Sequence, residues 1–389
     1  MRYILNAGKA VTPRGILPGA SIILSGEKIA EVRSRPTTAQ GDAQVISLDK
    51  YTVLPGLIDL HIHGVNGHDT MDASFEALNG MSNYLARQGV TSFLAATVTA
   101  GMDKILGAVE NIANCRQQGL HGARLLGAYI EGPYLNPENS GAHCKDCLRE
   151  LDSLEIEAIL AKAGGNVRVF ALAPEKENAI PVIQGLTGRG IKVALGHSSA
   201  TYGETNRAIE TGASIAVHTF NGMGGLHHRE PGIVGAVLNS GKIMAELIAD
   251  GVHVAFPVIE ILLKCKDKED IILITDCMRA GGLGDGEYEL GELKVRVKDG
   301  IARTKEGSLA GSTLRLIDGV KNLVQKVNVP LADAVHMASL NPARALGQSG
   351  RLGSIEEGKQ ADLIAIDDEF NVVFTMVGGK IVCLEQKEF

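Results

Sequence analysis

Hydrophobic and polar positions along the chain fall into two textures. From about residue 53 onward, short apolar runs alternate with helix-like segments. Eight runs read as buried strands: 53–60, 91–98, 124–130, 167–173, 192–196, 214–218, 243–249 and 271–275. Segments 74–88, 102–118, 152–162 and 204–210 read as helices between them, and 313–326 and 331–340 as helices that close the series. Eight β/α units predict an α/β fold, a (β/α)8 TIM-type barrel, with a doubly wound open sheet as the alternative. A two-strand insertion, 287–294 and 295–304 with Gly300 at its turn, is expected after the last barrel strand.

The two chain ends look different. Short β-like runs at 3–5, 20–24, 28–32 and 44–47 are punctuated by Gly19, Gly26 and the stretch 36–41. The same texture returns at 361–366, 372–376 and 380–384. Neither end is large enough for a comfortable core alone. They predict one small β-sandwich domain built from residues 1–53 and 351–389, around a barrel at 54–350.

A barrel carries its active site at the C-terminal ends of its strands. The first run ends in His61-Ile62-His63, and the i, i+2 spacing on a strand puts both imidazoles on one face. The third ends in Glu131 before Gly132-Pro133, the fifth in His197 and the sixth in His218. The seventh runs into Asp250-Gly251-Val252-His253 and the eighth into Thr275-Asp276. A single histidine is usually a bland residue, but metal-ligand types at so many strand ends are not scattered at random. Imidazole and carboxylate donors without thiolates suit Zn²⁺ best, with Fe²⁺ or Mn²⁺ as alternatives, one or two ions per chain. Glu131, between two histidine pairs, is placed to bridge two ions. Asp276 is placed to handle the proton of a water whose pKa a metal lowers from about 15.7 towards about 7.

The run Pro55-Gly56-Leu57-Ile58-Asp59-Leu60-His61-Ile62-His63-Gly64, with a lone Asp on the last strand, resembles the amidohydrolase superfamily. Glu131-Gly132-Pro133, Gly196-His197-Ser198, the run from His218 to Gly232 and Ala249-Asp250-Gly251-Val252-His253 are similar to the deacetylases of N-acetylated amino-sugar 6-phosphates within it. Leu309-Ala310-Gly311-Ser312 and the stretch 276–291 fit the same pattern. The resemblance implies hydrolysis of the acetamide of N-acetylglucosamine 6-phosphate, with the galactosamine isomer or another amide as the alternative. It implies Glu131, His197 and His218 as ligands of the main metal, and His61 and His63 as ligands of a second. Asp276 would be general base and then general acid. His143, in Gly141-Ala142-His143, would hydrogen-bond the sugar or the amide oxygen. Asn221 and Gly222 would donate to the phosphate, Arg229 and His253 would add positive charge, and Leu309 would pack on the acetyl methyl with Ala142 nearby. Some phosphate contacts would come from a neighbouring subunit, hence a homodimer. Glu131 stands where several cyclic-amide hydrolases carry a carboxylated lysine, which disfavours that group. Cys277 after Asp276, Gly222 and Thr219 depart from the usual residues of the pattern and bear on sugar preference.

Composition narrows the partners. The 389 residues carry 38 basic and 45 acidic side chains, a net charge of −7 that disfavours nucleic acid as the main partner. No run approaches the roughly 20 apolar residues of a membrane helix, and the first residues have no signal-peptide core. Six scattered cysteines argue for reduced thiols and a cytoplasmic address. Cys144-x-x-Cys147, with no second such pair, reads as two reduced loop cysteines.

Overall fold

A computed structural model describes residues 2–38 and 41–384. Eight parallel strands form one sheet: β1 (Leu57–Ile62), β2 (Val90–Ala96), β3 (Arg124–Ile130), β4 (Val167–Leu172), β5 (Lys192–Leu195), β6 (Ala213–Ala216), β7 (Met244–Ile248) and β8 (Ile271–Ile274), paired in sequence order. They curl into the expected (β/α)8 barrel. β8 and β1 meet through their C-terminal residues: Asp276 N–H donates to the His61 carbonyl and His63 N–H to that of Cys277, each at 2.9 Å. Every strand contributes to an inner core, including Leu60, Leu94, Val169 and Ile274, while a larger core lies between strands and helices. The expected helices form at Phe75–Arg87, Met102–Gln118, Ser153–Lys162 and Tyr202–Thr211. Ser74, Asp152 and Thr201 cap three of them through their side chains.

The first apolar run, expected as one strand over 53–60, is two. Gln44–Pro55 belongs to the other sheet, and β1 begins after Gly56. A Cβ on Gly56 would lie 2.2 Å from Thr91 Oγ1, so only glycine lets the chain cross there between sheets. The chain ends form a single eight-stranded sheet in which Gln44–Pro55 pairs parallel with Arg2–Thr12 and antiparallel with Leu363–Ile366. That strand joins the two ends. The sheet folds over a common core of residues from both ends, among them Leu5, Ile22, Leu48, Leu363 and Phe374. Ala39 and Gln40 of the 36–41 stretch and the last five residues of the 351–389 segment lie outside the described residues.

The insertion after β8 has three strands, not two: Gly286–Leu290, Leu293–Lys298 and Ile301–Thr304. The segment expected as one strand, 287–294, contains a turn at Gly291, whose φ of 56° favours glycine. Leu290, Val295 and Val297 of this insertion pack with Val98, Ala142 and Met278 beside the C-terminal mouth of the barrel. Among the described residues no helix is long and apolar enough to cross a membrane.

Candidate metal centre

The strand ends converge on Glu131, which follows β3 and is 1% exposed. Its two carboxylate oxygens face different histidines. Oε1 lies 3.3 Å from His197 Nε2 and 3.2 Å from His218 Nε2. Oε2 lies 3.4 Å from His61 Nε2, 3.1 Å from His63 Nε2 and 3.3 Å from His143 Nε2. Asp276 completes the ring, with Oδ1 3.3 Å from His63 Nε2 and 3.7 Å from His61 Nε2.

Backbone geometry aims these groups. His197, His218 and Asp276 have φ of 46°, 22° and 50°. That region is costly for a residue with a Cβ and recurs where function holds a side chain against its preference. Each residue lies just past a strand, so the turn out of the barrel swings its side chain over the strand ends.

Hydrogen bonds fix which ring nitrogen is available. His197 Nδ1 is 2.7 Å from the Asn139 carbonyl, and His218 Nδ1 is 3.1 Å from that of Asn221. A carbonyl only accepts, so both rings donate from Nδ1 and, when neutral, turn an Nε2 lone pair inward. His61 likewise donates from Nδ1 to Glu246 Oε2 at 3.2 Å. His143 is the opposite case. Thr99 N–H donates to His143 Nδ1 at 3.2 Å, so the hydrogen sits on Nε2 and that atom is a donor. Burial and then the charge of His197 push the His143 ring down to about 4, and it stays neutral at pH 7. His143 is therefore a neutral hydrogen-bond donor on the cavity wall, its Nε2 lying 3.3 Å from Glu131 Oε2.

Without a cation, protons hold the cluster together. Burial alone would lower the pKa of His61, but the close negative charge of Glu131, and then Glu246 with its hydrogen bond to Nδ1, raise it well above the usual value. His63 rises to about 9 against the same burial, through hydrogen bonds to Asp276 and Glu131. Burial would raise Asp276, yet the His63 hydrogen bond and the histidine charges bring it to about 2. Glu131 is driven well below the carboxylate range, again against burial. Among the described residues, His61 Nε2 and His63 Nδ1 remain buried without a hydrogen-bond partner. Converging Nε2 atoms and two carboxylates, with the orphaned His61 Nε2 among them, fit a divalent cation. The set divides into Glu131, His197 and His218 on one side and Glu131, His61, His63 and Asp276 on the other.

A cavity of about 290 Å³ opens onto this centre. Ala142, His143, Asn221, Gly222, His253 and Leu309 line it, together with most of the donors, whereas His61 lies fully buried beneath. Two larger surface hollows, of about 540 and 670 Å³, lie elsewhere. His253 is held by Asp250 (Nδ1 to Oδ2, 2.6 Å), and its Nε2 has no hydrogen-bond partner among the described residues. Arg229 is outside the cavity of its own chain, exposed, with Nη1 2.8 Å from His228 Nε2.

Sequence reading passed over two buried acids. Glu246, mid-β7, contacts His61 and accepts from the Tyr129 hydroxyl (3.4 Å) and His218 N–H (3.2 Å). Asp59 on β1 accepts from Thr275 Oγ1 at 2.6 Å and from His61 N–H at 3.2 Å, and burial pushes it up to about 7. Both were detectable as carboxylates inside apolar strand runs, where an unpaired charge is expensive.

A parallel barrel with a histidine–carboxylate cluster at its strand ends defines a hydrolase of the metal-dependent class. A family model described as the amidohydrolase family matches residues 52–382. The chain belongs to that family. It is 46% identical over 343 residues to the N-acetylglucosamine-6-phosphate deacetylase of Vibrio furnissii, covering 88% of this chain and 86% of that one. It is 42% identical to the N-acetylgalactosamine-6-phosphate deacetylase of Escherichia coli O157:H7, over 98% of this chain and 99% of the other. Among solved structures, an Asp-to-Ala mutant of the N-acetyl-D-glucosamine-6-phosphate deacetylase of Mycobacterium smegmatis, in complex with N-acetyl-D-glucosamine-6-phosphate, superposes with a TM-score of 0.93. That pair is 32% identical and covers 98% of this chain and 99% of the other.

Proposed function

We propose that the protein is a metal-dependent deacetylase that hydrolyses N-acetyl-D-glucosamine 6-phosphate to D-glucosamine 6-phosphate and acetate. The observation that carries this reading is the juxtaposition of Glu131, shared between two histidine sets, with His143, a neutral donor facing the same cavity. Glu131, His197 and His218, with His61, His63 and Asp276, would hold a divalent metal, which would supply Lewis acidity and a lowered water pKa; Zn²⁺ suits the donors best, with Fe²⁺ and Mn²⁺ as alternatives. Asp276, a carboxylate at neutral pH, takes the proton of the attacking water and returns it to the amine nitrogen as the C–N bond breaks. His143 donates from Nε2 to the acetamide oxygen as negative charge develops there. Ala142 and Leu309 border the acetyl methyl, and Asn221, Gly222 and His253 face the phosphorylated sugar. Arg229 serves a neighbouring subunit's phosphate, which makes the working enzyme a homodimer. The reaction belongs to cytoplasmic amino-sugar catabolism and cell-wall sugar recycling.

The 42%-identical E. coli relative, matched along nearly its whole length, favours the galactosamine epimer as a second reading. Acetate release from both N-acetylhexosamine 6-phosphates and their unphosphorylated parents, before and after chelation, tests both. The expected result is release from the phosphorylated glucosamine substrate, lost on chelation and restored with metal. A higher kcat/KM for the galactosamine compound would shift the assignment to the epimer. No release from either phosphosugar with metal restored would overturn the deacetylase reading.

A further inference from the structure

Outside the histidine cluster, a second group of side chains of metal-ligand type has no part in the proposed reaction. Cys144 and Cys147 cap and end a single turn of 3₁₀ helix immediately after His143, with their sulfurs 2.8 Å apart. Glu292 belongs to the tight turn between Gly286–Leu290 and Leu293–Lys298 of the insertion, and its Oε2 lies 3.6 Å from Cys147 Sγ. One donor atom from each of the three lies within 4.8 Å of the others. Lys104 meets the other oxygen, Oε1, at 2.8 Å and is itself exposed, so Oε2 is left facing the sulfurs.

We propose that Cys144, Cys147 and Glu292 form a second site for a soft divalent cation such as Zn²⁺, separate from the histidine–carboxylate centre, which clips the His143 loop to the three-stranded insertion. The donor chemistry separates the two sites: thiolates select Zn²⁺ and Cd²⁺ more strongly than imidazole and carboxylate do. Cys-x-x-Cys spacing is one that presents two thiolates to one ion, and three protein donors leave a fourth position for water. Binding exchanges two thiol protons for the cation. In the metal-free chain the Cys147 thiol is pushed up to about 12, first by its hydrogen bond with Cys144, then by burial and by the charges of Cys144 and Glu292. A cation removes that repulsion. A Cys144–Cys147 disulfide would use the same sulfurs but leave Glu292 unexplained. The ion would sit beside the contact in which Ala142 and Leu290 share a small core, and so hold the loop that carries His143.

Cd²⁺ titration of the full-length protein, reduced and stripped of metal, reads the site without reference to activity, because only thiolate ligands give the ultraviolet sulfur-to-Cd²⁺ charge-transfer band. The expected band has the intensity of two thiolates and saturates with one ion per chain at this site. It should be lost in Cys144→Ser and Cys147→Ser and kept in Cys265→Ser, whose thiol lies elsewhere on the surface. Glu292→Gln, a surface change that leaves both thiols in place, should weaken the band's Cd²⁺ affinity about tenfold or more. The site would be overturned by absence of the band in reduced wild type, by an unchanged band in Cys147→Ser, or by a Cys144–Cys147 disulfide in protein purified with Zn²⁺ present.

Discussion

His197 Nε2 and His218 Nε2 stand 3.0 Å apart, and both are within 3.3 Å of Glu131 Oε1. Because each ring spends its Nδ1 hydrogen on a backbone carbonyl, neutral rings would bring three lone pairs together. Only protons or a cation can relieve that contact, so metal binding must displace protons. Metal affinity is therefore expected to rise with pH, by about tenfold per unit for each proton displaced, and still to be rising near pH 9, where His63 titrates. Isothermal titration of stripped protein in buffers of different ionisation enthalpy measures the protons released. An affinity that is flat between pH 6 and 9 would contradict the exchange. His218→Ala should lose metal from this side of the centre.

Asp276 and His143 should separate binding from chemistry. Asp276→Asn removes the proposed proton carrier while keeping the size of the side chain, and a loss of about 10²–10⁴ in kcat is expected, with the metal of the Glu131, His197 and His218 set retained. Near-normal kcat with metal bound would remove Asp276 from the proton path. His143→Gln can still present an N–H, and a smaller loss is expected. Since His143 is neutral above about pH 4, its replacement should leave the pH profile between 5 and 8 unchanged in shape.

The Asp250–His253 pair predicts an acid limb in stability. Burial would raise the Asp250 pKa, but the His253 hydrogen bond and charge outweigh it and lower the carboxyl below its ordinary value. A carboxylate whose folded pKa is depressed contributes stability that is complete above the unfolded value of about 3.9 and is lost as pH falls through the folded value. Asp250→Asn should be less stable than wild type at pH 7, with the gap narrowing below about pH 4. Urea unfolding at a series of pH values measures it. A constant gap across that range would mean the pair acts only through packing.

How much of this was readable in sequence depends on the kind of signal. Eight apolar runs, each ending in a turn, specified the barrel because burial on both faces of a parallel strand leaves an unbroken hydrophobic trace. His61, His63, Glu131, His197, His218 and Asp276 were legible because strand ends in such a barrel share one face in space. The break at Gly56 was not, because Pro55-Gly56 interrupts a run that is apolar on both sides. The turn at Gly291 was hidden for a related reason, lying between two polar–apolar alternations that read as one. The left-handed backbone of His197, His218 and Asp276 leaves no trace in side-chain pattern. Arg229 was singled out by its neighbours in sequence, but its surroundings depend on chain geometry that no local spacing encodes.

Glu246 provides the sharpest check on how the centre is built, because it touches two of its histidines without facing the cavity. Its Oε2 accepts from His61 Nδ1 and the backbone N–H of His218, so one carboxylate sets a ring tautomer and a turn together. Glu246→Gln keeps the volume but can offer His61 either an oxygen or an amide hydrogen, so the Nδ1–H tautomer is no longer enforced. Loss of such an orienting partner costs about 10–100-fold in metal affinity. The loss is expected on the His61 and His63 side, while His197 and His218 keep their own carbonyl partners. In a stripped protein refilled stepwise, the second equivalent should weaken and the first should hold. Glu246→Ala adds a cavity and leaves the His61 N–H unpaired, which should lower stability by several kcal/mol. Equal weakening of both equivalents in Glu246→Gln would mean that the two halves of the centre, joined through Glu131, act as one unit.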